Sequence, residues 1–171
     1  MENPPPEQSA YTKMFPVSWE ELHRHAKALA WRLVDRPRFA GLIAITRGGL
    51  VPAAIVAREL DLRLIETVCC LAYDKQKNSG KVELLKPPQA ALADQGRNWL
   101  LIDDLVDTGL TARAVRQVLP LAHFATIYAK PAGRPLVDTY ITEVSQDTWI
   151  AFPWDQETVV SKPIVEIKAG G

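Results

Sequence analysis

Hydrophobic positions along this chain switch between two periods. Leu22, Ala26, Leu29 and Leu33 recur at helical spacing, and Ser18 with Glu21 forms an S-x-x-E capping box ahead of them, with Val17 and Leu22 at the staple positions. His23 and His25 fall off that stripe and are expected in solvent. GLIAI, residues 41–45, is a continuous apolar run that predicts a buried strand. TRGG follows, then a helix from about Leu50 to Leu60 that takes Pro52 in its first turn. Leu64 to Tyr73 is a second apolar, β-branched stretch. Trp99 to Ile102 predicts a strand, Thr111 to Leu119 a helix, and Phe124 to Ala129 a further strand. This alternation predicts an α/β fold, a mostly parallel central sheet with helices on both faces.

Three stretches break the pattern. Residues 1–15 are Pro-rich and polar and predict a mobile tail ahead of one domain, 16–171. Residues 74–97 are polar, carry five lysines or arginines and contain Pro87-Pro88, which predicts a long mobile loop; loops of that length are often functional lids. After the core, about 16–130, residues 131–171 hold four prolines and two tryptophans and predict a small appended cap.

Composition narrows the classes. A chain of 171 residues has room for one full core, and 20 acidic against 20 basic residues leave no positive excess for nucleic acid. No apolar run is long enough to suggest a membrane span. The start, MENPPPEQSA, lacks the basic and apolar regions of a secretory signal, so the cytoplasm is the expected location. Cys69 and Cys70 are adjacent, in no metal-ligand spacing, and are expected to be buried thiols. Trp19, Trp31, Trp99 and Trp154 are expected to serve packing.

The chemistry concentrates in NWLLIDDLVDTGLT, residues 98–111. A strand stops at Asp103 and Asp104, and Thr108 to Thr111 leads straight into a helix. The first amides of a helix lack internal partners and carry positive partial charge, Gly109 permits close approach, and the threonines add donors; together these suit a phosphate. The two carboxylates are repelled by that phosphate. They suit sugar hydroxyls instead, directly or through Mg²⁺, a hard cation that takes few carboxylates. A phosphorylated ribose meets both demands. An EF-hand is excluded, since its positions 3 and 6 would be Leu105 and Thr108. The chain has no GxxxxGK[ST] and no GxGxxG. TRGG and Lys130 stand at two further strand ends, where open parallel sheets bind ligands.

With the hydrophobic strand and paired acids before it, VDTGLT resembles the 5-phosphoribosyl 1-diphosphate (PRPP) motif of the type I phosphoribosyltransferases. ITRGGLVPAAIVAREL, TIYAKPAGRPLVDTY and QDTWIAFPWD resemble the bacterial purine-salvage branch that handles xanthine and guanine. The likeness runs from about Val17 to Asp155. It implies the type I fold with a C-terminal base-binding hood, and an enzyme that joins guanine or xanthine, more weakly hypoxanthine, to PRPP, releasing pyrophosphate and the nucleoside 5′-monophosphate. It implies that Arg47 and Gly48 hold pyrophosphate, across a Thr46-Arg47 peptide often cis in the family. It implies that Asp103 and Asp104 bind the ribose, with Asp104 nearest a Mg²⁺ cofactor, and that the segment Leu105, Val106, Asp107, Thr108, Gly109, Leu110 and Thr111 wraps the PRPP 5′-phosphate. Asp107 is the implied catalytic residue, facing N7 of the base. Lys130 donates to O6, Trp149 stacks, and Ile150 meets the base edge through its backbone. A homo-oligomer, tetramer or dimer, and peripheral association with the inner membrane face are also implied.

The chain departs from the family pattern at three places. Leu110 stands where a second glycine is usual. The mobile loop offers Lys75, Lys77 and Lys81 in place of an arginine, of which Lys81 is carried over for pyrophosphate. Ala151 stands where an acid is expected beside the base. A regulatory protein that binds PRPP without turnover is the alternative; a basic nucleic-acid face would favour it, and Lys130 with Trp149 speaks against it.

Overall fold

The computed structural model describes residues 11–72 and 82–155. A six-stranded sheet forms the centre. Its strands are β2 (Gly41–Thr46), β3 (Ile65–Ala72), β4 (Val82–Lys86), β5 (Trp99–Val106), β6 (His123–Ala129) and β7 (Thr139–Glu143), in the order β4-β3-β2-β5-β6-β7. Only the β3–β4 pair is antiparallel. Two helices, α1 (Trp19–Leu33) and α2 (Leu50–Glu59), cover one face, where Leu22, Leu29, Val56, Leu42 and Ile102 share a core. The short α3 (Gln89–Leu92) and α4 (Leu110–Val118) cover the other, with Ala91, Val115, Ile43 and Leu101. The capping box forms as the pattern predicts, Glu21 N donating to Ser18 Oγ at 3.1 Å.

The chain leaves β2 through α2 toward β3 on one side, and leaves β5 through α4 toward β6 on the other. The winding therefore reverses between β2 and β5, neighbours paired Gly41 to Trp99 through Ala44 to Ile102. Loops leaving the carboxyl ends of these two strands turn to opposite faces, and the crevice outside such a switch point is the usual ligand position in sheets of this kind.

Three expectations need correction. Residues 82–97 are not loop: VELLK pairs with β3 as its antiparallel edge, because Val82 and Leu84 turn one apolar side inward, and α3 packs Ala91 into the core. Residues 74–81 of the expected lid lie outside the described residues. Nor does the tail run to residue 15. Strand β1 (Lys13–Pro16) pairs in parallel with β8 (Thr148–Ala151), Lys13 opposite Thr148 and Pro16 opposite Ala151. Nor is all of 131–171 cap, since β7 joins the main sheet; among the described residues the hood is the two-stranded β1–β8 sheet. Residues 1–10 and 156–171 lie outside the described residues.

Two side-chain expectations also change. Cys69 and Cys70 are half-buried, and burial, then Asp103 and Cys69, pushes the Cys70 thiol up to about 11. Trp99 is buried as expected, whereas Trp31 is 74% exposed. Among the described residues no helix is long and apolar enough to cross a membrane.

His25 is not a solvated residue. Its Nδ1 shares a 3.0 Å hydrogen bond with the hydroxyl of Tyr128, one of the largest fully buried side chains. Burial, then Arg24, lowers the His25 pKa below its ordinary value, opposed by Glu21. The neutral imidazole is thus favoured in the fold. As pH falls through about 6.5 the unfolded chain takes a proton that the folded chain resists, and stability is lost until both states are protonated. His25→Gln is expected to make the change in Tm between pH 7 and pH 5.5 more favourable than in the wild type, on top of the opposing gain from the raised Asp103 and Asp104 carboxyls. His123, also lowered, leaves a residual slope. An unaltered slope in His25→Gln would assign the acid sensitivity elsewhere.

Candidate active site

Three chain segments meet at the crevice. After β2, a cis Thr46-Arg47 peptide leads into Gly48 and Gly49. Gly48 lies against the next strand so closely that a Cβ there would stand 2.3–2.6 Å from the Asp104 carboxylate, which only glycine avoids. The second segment is β5, which runs four residues beyond the Trp99–Ile102 core and carries Asp103, Asp104, Leu105 and Val106 within the strand. Successive residues of a strand face opposite ways, yet the two acids stay in contact: Asp104 N donates to Asp103 Oδ1 at 3.0 Å, and the two side chains share a hydrogen bond. Asp104 turns to the Arg47-Gly48 loop. Asp103 borders the hollow lined by residues 105–112 and Phe124, the phosphate-loop side from which electrostatics alone would keep it.

These carboxylates are costly as neighbours. Burial, then Asp104, holds the Asp103 carboxyl well above the ordinary carboxylate range. Burial pushes Asp104 up to about 6, with hydrogen bonds opposing and Asp155 adding to the rise. Asp155 also interacts electrostatically with Arg47. It sits in a single helical turn, residues 153–155, and is a charged member of the site that the sequence pattern did not single out.

The third group is the loop from Asp107 to Thr111. Gly109 caps α4 with a φ of +80°, a left-handed conformation that glycine adopts without cost. Thr108 is exposed and its carbonyl accepts from Arg113 Nη2 at 2.8 Å, which pins the loop to the first turn of α4. Leu110 and Thr111 are half-buried at the start of that helix. Leu110, Thr111 and Ala112, the first residues of that helix, line the hollow.

Across the mouth stands a second cluster. Lys130 follows β6 and is only 1% exposed; its Nζ donates to Asp107 Oδ2 at 3.0 Å. Gln146 Nε2 donates to Asp107 Oδ1 at 2.7 Å, and Tyr11 OH donates to Oδ2 at 3.0 Å. Asp107 is therefore held by three donors from three distant segments. Trp149 stands on β8, 40% exposed, with the Tyr11 ring 5.3 Å from its own, while Ile150 turns its side chain into the core. Ala151 is buried and its carbonyl accepts from Val17 N at 2.9 Å. The structure thus brings Asp107, Lys130 and Trp149 together and places Arg47, Gly48, Asp103 and Asp104 along the neighbouring strand ends. Lys81 lies outside the described residues. Tyr11 and Gln146 were not singled out from sequence; they reach Asp107 from 96 and 39 residues away, and no local pattern marks them.

A phosphate loop, a carboxylate pair and a buried lysine at adjoining strand ends are one arrangement, and the chain matches the phosphoribosyl transferase domain over residues 18–159. The chain belongs to the phosphoribosyl transferase family. Among relatives of this transferase, the xanthine-guanine phosphoribosyltransferase of Nitratidesulfovibrio vulgaris is 61% identical over 91% of this chain and 93% of its own. That of Desulfotalea psychrophila is 58% identical over 91% and 94%. The transferase fold also matches the crystal structure of a purine phosphoribosyltransferase from Pyrococcus horikoshii, with a TM-score of 0.72 at 24% identity, covering 89% of this chain and all of that one.

Proposed function

We propose that this transferase moves the phosphoribosyl group of PRPP to a 6-oxopurine, guanine or xanthine, and more weakly hypoxanthine, releasing pyrophosphate. One observation carries the base class: the ammonium of Lys130, buried against Asp107 and the Tyr11 ring that Trp149 packs on. A lysine is a pure donor, so it favours an acceptor at purine position 6 and disfavours an amino group there. The names of the relatives agree with that choice. A PRPP-binding regulator without turnover has nothing in its favour here.

In this scheme the leaving pyrophosphate departs early and positive charge builds on the ribose ring. Arg47 and the Gly48 amide offset charge on the leaving group. The loop from Asp107 to Thr111 holds the 5′-phosphate, and the hydroxyls of the ring meet Asp103 and Asp104, so that C1′ is positioned for attack. Asp107 accepts a proton at N7 or stabilises it as N9 attacks, help worth about 10²–10⁴ in rate. Lys81, carried on the segment after β3, would add charge toward pyrophosphate.

The donor set also fits Mg²⁺. Asp104, with Asp103 beside it, supplies hard oxygens in the small number this cation takes, and both carboxyls are pushed up by burial, a cost a cation relieves. When bound, the ion would neutralise charge on the diphosphate.

Initial rates with PRPP and guanine, xanthine, hypoxanthine or adenine, over a Mg²⁺ titration, test the whole proposal. Rates are expected with the three 6-oxopurines, and far lower rates with adenine. The pair Asp103→Asn with Asp104→Asn is expected to raise the Mg²⁺ concentration for half-maximal rate by about tenfold or more, the order of a lost ligand interaction of about 1.4 kcal/mol. Equal rates with adenine would sink the base assignment; an unmoved Mg²⁺ titration in the double variant would sink the metal assignment.

A further inference from the structure

The side chain of Tyr11 touches each group just proposed to read the base. Its hydroxyl donates to Asp107 Oδ2 at 3.0 Å. Its ring centroid lies 4.4 Å from the Lys130 ammonium and 5.3 Å from the ring of Trp149, tilted by 60°. The first is a cation–π contact and the second is direct ring-to-ring packing, so no second flat ring fits between Tyr11 and Trp149. A purine would ask the same three things of the same three residues: an acceptor at Asp107, a charge from Lys130, and an aromatic face at Trp149.

Both oxygens of Asp107 are engaged while Tyr11 is in place, and Oδ2 has no acceptor site left. Oδ2 already accepts from Lys130 and Tyr11, and Oδ1 accepts from Gln146. Burial and the Asp107 charge raise the Tyr11 pKa, so the phenol remains a donor throughout the neutral range. A phenol that donates to the carboxylate while its ring faces an ammonium reproduces the polarity of a base that offers N–H to Asp107 and an electron-rich edge to Lys130.

Tyr11 can leave without unravelling the hood. The β1–β8 register begins at Lys13 opposite Thr148, two residues after Tyr11. Between them, Thr12 and Lys13 both donate backbone N–H to Asp147 O, at 2.9 and 3.2 Å, and Lys13 Nζ lies 3.4 Å from the Asp147 carboxylate. These backbone bonds, and not the exposed ion pair, define a fixed point about which the preceding residue swings.

We propose that Tyr11 is a built-in stand-in for the purine, which seats itself between Asp107, Lys130 and Trp149 and has to swing out before a base can enter. The proposal rests on the base site assigned above. A competent fraction of about one in ten would weaken the apparent affinity for every base about tenfold, and by the same factor, because the cost of moving Tyr11 is paid before the base is read.

The test uses the full chain. In Tyr11→Ala, KM for guanine and for xanthine is expected to fall about tenfold by one common factor, with kcat and KM for PRPP unchanged, and the dissociation constant of GMP in a calorimetric titration is expected to fall alongside. Tyr11→Phe, which keeps the ring and loses the hydroxyl, is expected to lie between. Lys130→Met is run beside them as the control on the site itself. Loss of guanine activity in Lys130→Met with no change in Tyr11→Ala would overturn the stand-in and leave the base site standing. A rise in KM for guanine in Tyr11→Ala would also overturn it, making Tyr11 a wall that stacks on the bound base. Wild-type guanine kinetics in Lys130→Met would remove the base site, and the stand-in with it.

Discussion

Lys130→Met is expected to lower kcat/KM for guanine by roughly 10- to 150-fold, equivalent to about 1.5–3 kcal/mol for a hydrogen bond to a charged group. Adenine should lose nothing, since its 6-amino group gains no bond from an ammonium, and KM for PRPP should move much less than the guanine constant, because Lys130 touches the phosphate loop only at its first residue, Asp107. The structure adds a second consequence. Lys130 is almost wholly buried and pairs with Asp107, whose side chain is 29% exposed. Removing one partner of a buried pair costs up to about 3–5 kcal/mol of stability, and the Tyr11 and Gln146 donors that remain on Asp107 should hold the loss toward the lower end. Stability and reading of the base can therefore be separated. The double variant Lys130→Met with Asp107→Asn removes the stranded charge and should regain much of the Tm while guanine turnover stays low. The measurements are kcat/KM for guanine and adenine, KM for PRPP, and Tm. Equal losses for both bases would make Lys130 a purely structural cation.

Gly109→Val should strike the other half of the site. At φ +80° any side chain costs about 1–2 kcal/mol, and a β-branched one more. A Cβ there would also stand 2.5 Å from Leu136 Cδ1 and 3.3 Å from the Gly133 backbone. The leucine tip can give way; the Gly133 backbone, in the turn that follows Lys130, cannot do so freely. The loop should be forced off the start of α4, raising KM for PRPP at least about tenfold and lowering Tm by roughly 5–10 °C, the shift that about 2–3 kcal/mol produces in a chain of this size. Gly109→Ala, which keeps the strained φ without the branch, should show a smaller effect of the same kind. A folded Gly109→Val protein with wild-type PRPP kinetics would place the phosphate elsewhere.

Sequence made some parts of this fold plain and hid others, for physical reasons. Ser18 and Glu21 mark the start of α1 because a cap is a local bond between neighbours. β2 and β6 are legible because buried parallel strands are apolar on both sides. VELLK was hidden: an edge strand alternates weakly, and its single lysine, Lys86, and the following Pro87-Pro88 read as loop. KMFP was hidden too, since its partner is 135 residues away and a four-residue strand ending in proline has no signal of its own. At the site, motif residues between Asp103 and Thr111 lie within one strand-to-helix turn and announce themselves. Tyr11, Gln146 and Asp155 are brought there only by the pairing of β1 with β8 and the turn that follows it.

That pairing also imposes an order on synthesis. Once residue 143 has left the ribosome, every strand of the six-stranded sheet is available, with the phosphate loop and Lys130 attached. β1 has by then no strand to pair with, because β8 is not complete until Ala151. Closing a separation of 135 residues is among the slowest contacts the chain makes, and until it closes an apolar strand edge stays open to other molecules. A nascent chain halted between residues 144 and 150 would therefore carry a paired sugar-phosphate half beside a purine side that has Asp107 and Lys130 but not the completed strand of Trp149.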